Sequence, residues 1–365
     1  MEKLHLGLLL PSSTIFPMSK HFEKGLHAGL GSIDNSNVEI EITKEFIGQG
    51  GTAQVEGSVN KLFSYDAVDL IAGIVSNRVI EHIAPKFYNN KKPIIVNNLG
   101  EHVPKLQKLN PWVFINSMHL WKEAFALGHW GVKTWGKKGM FIASVYDAGY
   151  SFSHMFHLGM MNASSDAEWS FSVPPMPPTG SLTDMSVIFP FLERYQPDFI
   201  FGVFCGKENT LFLNEFIKRG WHKKTKILGL PYLLSPFEPL IDDIAIYTTQ
   251  QRDEESIVHA DDYFYQLGHQ TGDMINKACK ADGDNIQQKL MNAQQTIAIE
   301  DVSFSTFNNF TNDTTTIVQN QISAGAKNFD QKAVETTATF SPSNTSMVGL
   351  HAGISASWLN PYLCI

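Results

Sequence analysis

Short apolar runs alternate with longer amphipathic stretches, and this alternation constrains the fold of the chain more than any other feature. In the first half the apolar runs lie at 4–10, 38–45, 70–75, 93–96, 113–116 and 140–146. Helical patterns separate them at 18–31, 52–65, 79–89, 120–135 and 151–162. Apolar runs of this length are typical of parallel strands that are buried on both faces, with helices covering the sheet. The order therefore predicts an α/β fold with a mainly parallel sheet.

A second α/β series follows the first, with strand and helix patterns that continue to residue 230. At 365 residues the chain exceeds one ordinary core, so we expect two domains. After residue 247 the order changes. Helices are predicted at 261–280 and 285–294, strands rich in Thr, Phe and Asn at 302–319, and a long loop at 320–348.

Charge and composition exclude several classes of protein. The net charge of −8 argues against a nucleic-acid partner, and no apolar run approaches the length of about 20 residues needed for membrane insertion. Cys205, Cys279 and Cys364 lie far apart, which indicates neither a zinc site nor a disulfide framework. The opening stretch MEKLHLGLLLPSS is predicted to be a first strand and not a signal peptide, so an export signal would already have been removed.

Motifs for catalysis are missing from the sequence, which contains no GxSxG, HExxH or GxxxxGK[ST] pattern. FIGQGGTAQ, at 46–54, lacks the glycine spacing and the lysine of phosphate-binding loops, and it predicts a tight strand-to-helix turn. His154 and His157 share a helix pattern, but no third metal ligand accompanies them. The sequence therefore predicts no enzyme, no metal and no cofactor.

Polar residues follow two neighbouring strands of the predicted first sheet. Ser76 and Asn77 come directly after the run 70–75, and Asn97 and Asn98 end the next strand. Side chains at such a junction either cap the following helix or face a ligand, because open α/β sheets bind ligands at the carboxyl ends of their strands. Both interpretations remain open for each pair.

Several segments together resemble the type 1 periplasmic binding proteins, specifically the branched-chain amino acid and amide branch that serves ATP-driven importers. The segments are LHLGLLLPSSTIFPMSKHFEKGLHAGL, EFIGQGGTAQVEGSVNKLF, DLIAGIVSNRV, PIIVNNLGE, PWVFINSMHLWKEAFALGHW, MFIASVYDAGYSFSHMF and PDFIFGVFCGKENTLFLNEF. The resemblance covers almost the whole chain, through the order of the elements more than through any sharp motif.

This resemblance implies two Rossmann-like α/β lobes with mainly parallel sheets, joined by a hinge of three chain crossings. A ligand cleft is expected between the lobes and closes by hinge motion. The first lobe is expected at 1–118 plus 248–330, and the second at 119–247 plus 331–365. On the first lobe the expected ligand-binding residues are Ser13, Phe16, Ser76, Asn77, Asn97 and Asn98. On the second lobe they are Trp121, Tyr150, Phe204 and Tyr232.

Departures from the family pattern bear on the ligand. The first-lobe strand that usually offers a hydroxyl to the ligand's carboxylate reads Asn97-Asn98-Leu99. Pro231-Tyr232 stands where the acid that receives the ammonium is expected, which leaves Asp147 and Glu101 as substitutes. The expected ligand is a small organic molecule: an amino acid, an amide or an aromatic compound.

The function implied by the resemblance is that of a periplasmic or otherwise extracytoplasmic solute-binding protein that delivers its ligand to an ABC transporter permease. The alternative is a cytoplasmic ligand-sensing regulator of the same fold. An enzyme is the third and weakest hypothesis.

Overall fold

The chain folds into two seven-stranded sheets flanked by helices. The computed structural model describes residues 2–12, 17–31, 38–105, 109–145, 147–178, 181, 183–204, 206–234, 238–250, 260–293, 296–299, 302–306, 314–326 and 328–340. The strands are β1 (Glu2–Leu10), β2 (Val38–Phe46), β3 (Leu70–Ile74), β4 (Ile94–Asn98), β5 (Val113–Ser117), β6 (Lys138–Ala143), β7 (Glu168–Ser172), β8 (Phe199–Val203), β9 (Lys226–Gly229), β10 (Ile244–Thr249), β11 (Thr296–Ile299), β12 (Val302–Thr306), β13 (Thr314–Ile322) and β14 (Phe329–Ala338). The helices are α1 (Met18–Leu30), α2 (Thr52–Ser64), α3 (Asn77–Asn90), α4 (Leu120–Thr134), α5 (Phe152–Ala163), α6 (Phe189–Tyr195), α7 (Gly206–Lys218), α8 (Ala260–Lys280) and α9 (Ile286–Asn292).

The first unit contains the sheet β11-β12-β5-β4-β3-β1-β2, whose strands are parallel except for β11. Every residue of β3, β4 and β5 is buried. Such strands have no solvent-facing side, which explains why they appear in the sequence as unbroken apolar runs.

The second unit contains the sheet β14-β13-β10-β9-β8-β6-β7. Its β6, β7, β8, β9 and β10 are parallel, and the hairpin β13–β14 adds antiparallel strands at one edge. The predicted α/β class with two mainly parallel sheets is confirmed.

The turn between β2 and α2 has the conformation that its glycines predict. Gly48 and Gly50 have φ values of 55° and 75°, in the left-handed region that glycine adopts without steric cost. The prediction of a tight turn at FIGQGG is confirmed.

Both units are discontinuous in sequence, and the second half of the chain is divided differently from our prediction. The first unit takes α8, α9, β11 and β12, whereas β13 and β14 belong to the second unit. The predicted first lobe included 248–330, but β13 pairs with β10 of the second sheet from Ile244↔Ile322 to Thr249↔Ile317. The long loop predicted at 320–348 is wrong, because β14 occupies Phe329–Ala338 and pairs with β13.

Glycines allow two helices of the first unit to cross at backbone contact. Gly25 and Gly29 on α1 lie against α8, where Gly268 and Gly272 have the same four-residue spacing. A Cβ atom at Gly25 would overlap the carbonyl oxygen of Tyr265, and one at Gly268 would overlap that of Phe22. Any side chain at these positions would push the helices apart, since packed interiors leave no free volume.

The second unit repeats this device between α4 and α5. A Cβ atom at Gly128 would overlap the carbonyl oxygen of Phe156, and one at Gly159 would overlap that of Phe125. The two helices therefore also cross at the distance that glycine permits.

Replacing Gly25 by Ala should destabilise the protein, because the new methyl group forces α1 away from α8. We expect a loss of about 1–3 kcal/mol in the free energy of unfolding, measured by urea denaturation. Gly57→Ala is the matched control, since Gly57 is exposed on α2 and a Cβ atom there meets nothing within 4 Å. This control should be neutral or gain up to about 1 kcal/mol. Equal effects of the two substitutions would contradict the close helix crossing.

Candidate functional site

Parallel strands bring the predicted polar side chains to one edge of the first sheet. Strands β3, β4 and β5 end at Ile74, Asn98 and Ser117. At these ends Ile74 of β3 pairs with Asn97 of β4, and Asn98 of β4 pairs with Ser117 of β5. The side chains of Ser76, Asn77, Asn97 and Asn98 are fully buried at this edge.

Ser76 caps helix α3, which was one of its two predicted roles. Its side-chain oxygen accepts a hydrogen bond from the backbone N–H of Arg78 at 3.3 Å. A serine at this position satisfies one of the N–H groups that the first turn of a helix leaves open.

Asn77 and Asn98 contact each other at this edge. The Asn98 side-chain amide donates to Asn77 Oδ1 at 2.8 Å and to the Val75 carbonyl at 3.1 Å. Asn98 Oδ1 accepts from the N–H of Gly100 at 3.0 Å, where the backbone turns with φ 78°. Asn77 in turn donates to the His102 carbonyl at 2.7 Å. The amides thereby fix the loop that follows β4.

Asn97 lies on the opposite face of the sheet, because successive side chains of a strand point to opposite faces. Its Oδ1 atom accepts from the Asn116 amide at 2.8 Å and from the Thr271 hydroxyl at 2.7 Å. Its amide donates to the carbonyls of Gly73 at 3.2 Å and Ile95 at 3.3 Å. The hydrogen-bonding capacity of Asn97 is thus used inside the unit, where it ties α8 to the sheet.

Glu101 and His102 follow Asn98 on the same loop and are also buried, at 1% and 0% exposure. Glu101 was named from the sequence as a substitute acid, whereas His102 was missed. The signal for His102 was its place in the run NNLGEH directly after a buried strand.

In the second unit, Asp147 is buried beyond the carboxyl end of β6, at 1% exposure. Burial raises the pKa of its carboxyl well above the usual value, and the charge of Glu208 raises it further. Tyr150 lies three residues later at 4% exposure, with its ring edge-to-face against Phe152 at 5.8 Å.

Two further residues of this edge were not identified from the sequence. The Thr183 hydroxyl donates to Glu208 Oε1, and Glu208 lies in the first turn of α7. Glu208 Oε2 is buried without a hydrogen-bonding partner within the part of the chain that the structure describes. No local motif marks these residues, because Thr183 follows a proline-rich connector and Glu208 begins an ordinary amphipathic helix.

Two predicted aromatic residues pack within the second unit. Phe204 is fully buried in its hydrophobic core and stacks on Phe212 with ring centroids 4.4 Å apart. Trp121, at 1% exposure, packs edge-to-face against Phe340 at 5.5 Å. Both arrangements are typical of aromatic pairs in cores.

Three other predictions fall outside the described structure. Ser13 and Phe16 lie outside the described residues. Tyr232 belongs to the short 3-10 helix Pro231–Leu234, but its side chain is outside the description.

Among the described residues, no group of three or more His, Cys, Asp or Glu side chains is arranged to hold a metal ion. A search of those same residues finds no helix long and apolar enough to cross a membrane.

Comparison with known proteins places the chain in a family. The family model described as "Periplasmic binding protein" matches residues 3–325, so the chain belongs to that family. A comparison with curated proteins finds no match.

Solved structures share the fold at low sequence identity. An ABC transporter substrate-binding protein from Sphaerobacter thermophilus has a TM-score of 0.63 at 16% identity, over 93% of this chain and 99% of that one. A solute binding protein from R. palustris in complex with benzoate has a TM-score of 0.65 at 16% identity, over 93% and 98%. LivJ from Streptococcus pneumoniae in complex with isoleucine has a TM-score of 0.60 at 12% identity, over 93% and 100%. At these identities the similarity establishes the fold alone.

Asn97→Ala should destabilise the protein without any ligand being present. The substitution removes the acceptor of Asn116 and Thr271, and a buried donor left unsatisfied costs about 1–3 kcal/mol. Urea unfolding measures the loss. Asn90→Ala is the control, because Asn90 makes an exposed bond to the Lys86 carbonyl at 2.8 Å and should change stability by less than about 0.5 kcal/mol. An unchanged midpoint for Asn97→Ala would refute the structural role.

Proposed function

We propose that this protein captures a small organic solute in a cleft between its two units and delivers it to an ABC-type importer. The observation that carries the proposal is the burial of polar side chains beyond the carboxyl ends of strands in both sheets. Open α/β sheets bind their ligands at this edge. Membership of the periplasmic binding protein family supports a role in solute capture outside the cytoplasm, with a transporter permease as partner.

The proposed contacts come from both units. Ser76, Asn77 and Asn98 of the first unit supply amide and hydroxyl groups that orient the solute. Tyr150 and Asp147 of the second unit supply a ring face and a carboxyl group. Ser13, Phe16, Trp121, Phe204 and Tyr232 remain predictions. Asn97 is omitted, because it lies on the opposite face of the sheet, where it bonds Asn116 and Thr271.

We further propose that the solute carries a positively charged nitrogen. Asp147 is buried, and the nearby charge of Glu208 makes its ionisation still less favourable. A bound ammonium group would reverse this, because an opposite charge nearby stabilises the ionised form of a buried carboxyl. The second carboxyl, Glu208, would share the same positive charge. A benzoate-like anion, by contrast, would be repelled by the charge of Glu208.

Incubation with the true solute should both stabilise and compact the protein. At a hundredfold excess over Kd, binding adds about 2.7 kcal/mol to the free energy of unfolding. A thermal-shift screen of amines, amino acids, amides and aromatic acids identifies the solute, and small-angle scattering then measures the radius of gyration. A solute that raises the Tm without any compaction would contradict capture by closure of the cleft. A benzoate-type anion that compacts the protein would contradict only the charge proposal.

Asp147→Asn should move stability and affinity in opposite directions. Because the folded-state pKa of Asp147 is raised, the folded protein holds a proton that the unfolded chain releases above about pH 4. The parent therefore loses stability as the pH rises from about 4 towards the raised pKa of Asp147, whereas the neutral asparagine variant should not. At pH 7 we expect the variant to be more stable and to bind the cationic solute about a hundredfold more weakly, or about 3 kcal/mol.

The control for this experiment is Asp166→Asn. Asp166 is exposed and pairs with Lys137 at 2.5 Å, so its loss should have little effect on stability and leave affinity unchanged. Parent-like affinity of Asp147→Asn, measured by calorimetry on the solute from the screen, would overturn the role of this carboxyl.

A further inference from the structure

The edge strands of the two sheets differ in how well they are protected against pairing with another chain. A strand at a sheet edge presents unpaired N–H and C=O groups, and charged side chains or bulges usually prevent it from binding a further strand. The structure describes the side chains of three edge strands: β2, β7 and β14. β2 has four charged residues among nine. β14 has three among ten, and its pairing with β13 contains an irregularity.

β7 lacks this protection. Its sequence EWSFS has one charged residue, Glu168, at the first position. Trp169 and Phe171 share one face of the strand, where their rings stack with centroids 6.0 Å apart, and His157 of α5 stacks on Trp169 at 4.5 Å. Phe171 is nevertheless 63% exposed, and Met161, one turn after His157 on α5, is 37% exposed. The edge of the second sheet is therefore apolar and aromatic.

The open hydrogen-bonding groups of β7 belong to the same two aromatic residues. The Glu168 N–H donates to the Lys137 carbonyl at 2.8 Å, so Glu168 faces β6. Alternate residues of a strand direct their backbone groups to opposite sides. Ser170 therefore also faces β6, whereas Trp169 and Phe171 direct N–H and C=O groups to the open edge. Within the described part of the chain, no backbone group beyond β6 bonds to these two residues.

This pattern is complementary to itself. If two copies of β7 pair antiparallel about a two-fold axis at Ser170, Trp169 of each copy lies opposite Phe171 of the other. Both residues present outward backbone groups, so the two pairs exchange four N–H···O=C hydrogen bonds. They also form two cross-strand aromatic pairs on one face. Glu168 lies opposite Ser172 of the other copy, so no like charges are directly opposed.

We propose that β7 is a self-association edge, through which two copies of this chain pair antiparallel about Ser170 and form a symmetric dimer. A second copy is the occupant that the pattern favours, because a two-fold dimer requires a surface that is complementary to itself. Strands of five residues make a small contact, so the dimer should be weak and should depend on concentration. The inference does not depend on the identity of the solute, because no residue of β7 is proposed to bind it.

Analytical ultracentrifugation of the full chain over a range of concentrations tests the dimer. The parent should shift from the mass of one chain towards that of two as the concentration rises. Phe171→Lys removes both aromatic pairs, since each contains one Phe171, and it adds a charge to the edge. It should raise the dissociation constant of the dimer by about tenfold or more. Phe46→Lys is the matched control, because Phe46 is 69% exposed on the edge strand β2, and it should leave the constant unchanged.

Cysteine cross-linking tests the register. Ser170 lies on the proposed axis, in a pair without mutual hydrogen bonds, where the Cα atoms of antiparallel strands are about 4.5 Å apart. This distance is compatible with a disulfide. Mild oxidation of Ser170→Cys should therefore give more covalent dimer than the parent, which has three cysteines of its own. Ser165→Cys is the control, because Ser165 is exposed in the turn before β7 but lies five residues from the axis, and it should match the parent.

Three results would overturn the proposal. The first is a parent that stays monomeric up to about 1 mM, which would leave this edge to a different partner. The second is an equal effect of Phe171→Lys and Phe46→Lys on the dissociation constant. The third is cross-linking of Ser170→Cys that does not exceed that of Ser165→Cys. If Phe171→Lys does not fold, the comparison of the two cysteine variants decides.

Discussion

The attachment of α8 to the first sheet is the constraint on which the rest of the architecture depends. This helix follows the main part of the second unit in sequence, yet it packs in the first. Two different interactions hold it there: the glycine crossing with α1, and the hydrogen bonds that join Thr271 to Asn97 and Asn116. The first requires close backbone approach and the second requires one rotational setting of the helix, so together they fix both its distance and its orientation. The first unit is therefore complete only when the chain has crossed to the second and returned.

This attachment also explains why neighbouring asparagines differ in role. Asn97 and Asn98 are adjacent in sequence and equally buried, but the pleat of β4 directs them to opposite faces. The Asn97 side chain hydrogen-bonds to Thr271 of α8 and stabilises the packing of this helix. The Asn98 side chain hydrogen-bonds to Asn77 and holds the loop at the carboxyl edge of the sheet. The sequence shows polar residues at a strand end, and only the position of α8, far along the chain, decides which of them serves structure.

The parts of the fold that follow from local pattern could be predicted from the sequence. The buried runs that became β3, β4 and β5 have the length and apolar composition of parallel strands, and the helices between them follow from the 3.6-residue period. The pairing of β13 could not be predicted in this way, because the local pattern of TTTIVQNQI does not indicate which strand it pairs with, and its partner β10 lies far away in sequence. Phe204 and Trp121 illustrate the same limit at the site, since aromatic residues at strand and helix ends are common both in cores and in pockets. Thr183 and Glu208 meet only in the folded unit.

Asp147 and Glu123 are two buried carboxyls of the second unit. Burying either of them in its ionised form costs free energy that an apolar residue would not cost. In each case burial raises the pKa, so the folded protein is more stable with the proton bound. The two differ in what surrounds them. Asp147 lies near a second acid, Glu208, whose charge a bound cation would also neutralise, whereas burial is the main cause of the raised pKa of Glu123. A positively charged ligand would therefore stabilise ionised Asp147, whereas a bound proton removes the charge of Glu123. By this reasoning we propose Asp147, and not Glu123, for solute recognition.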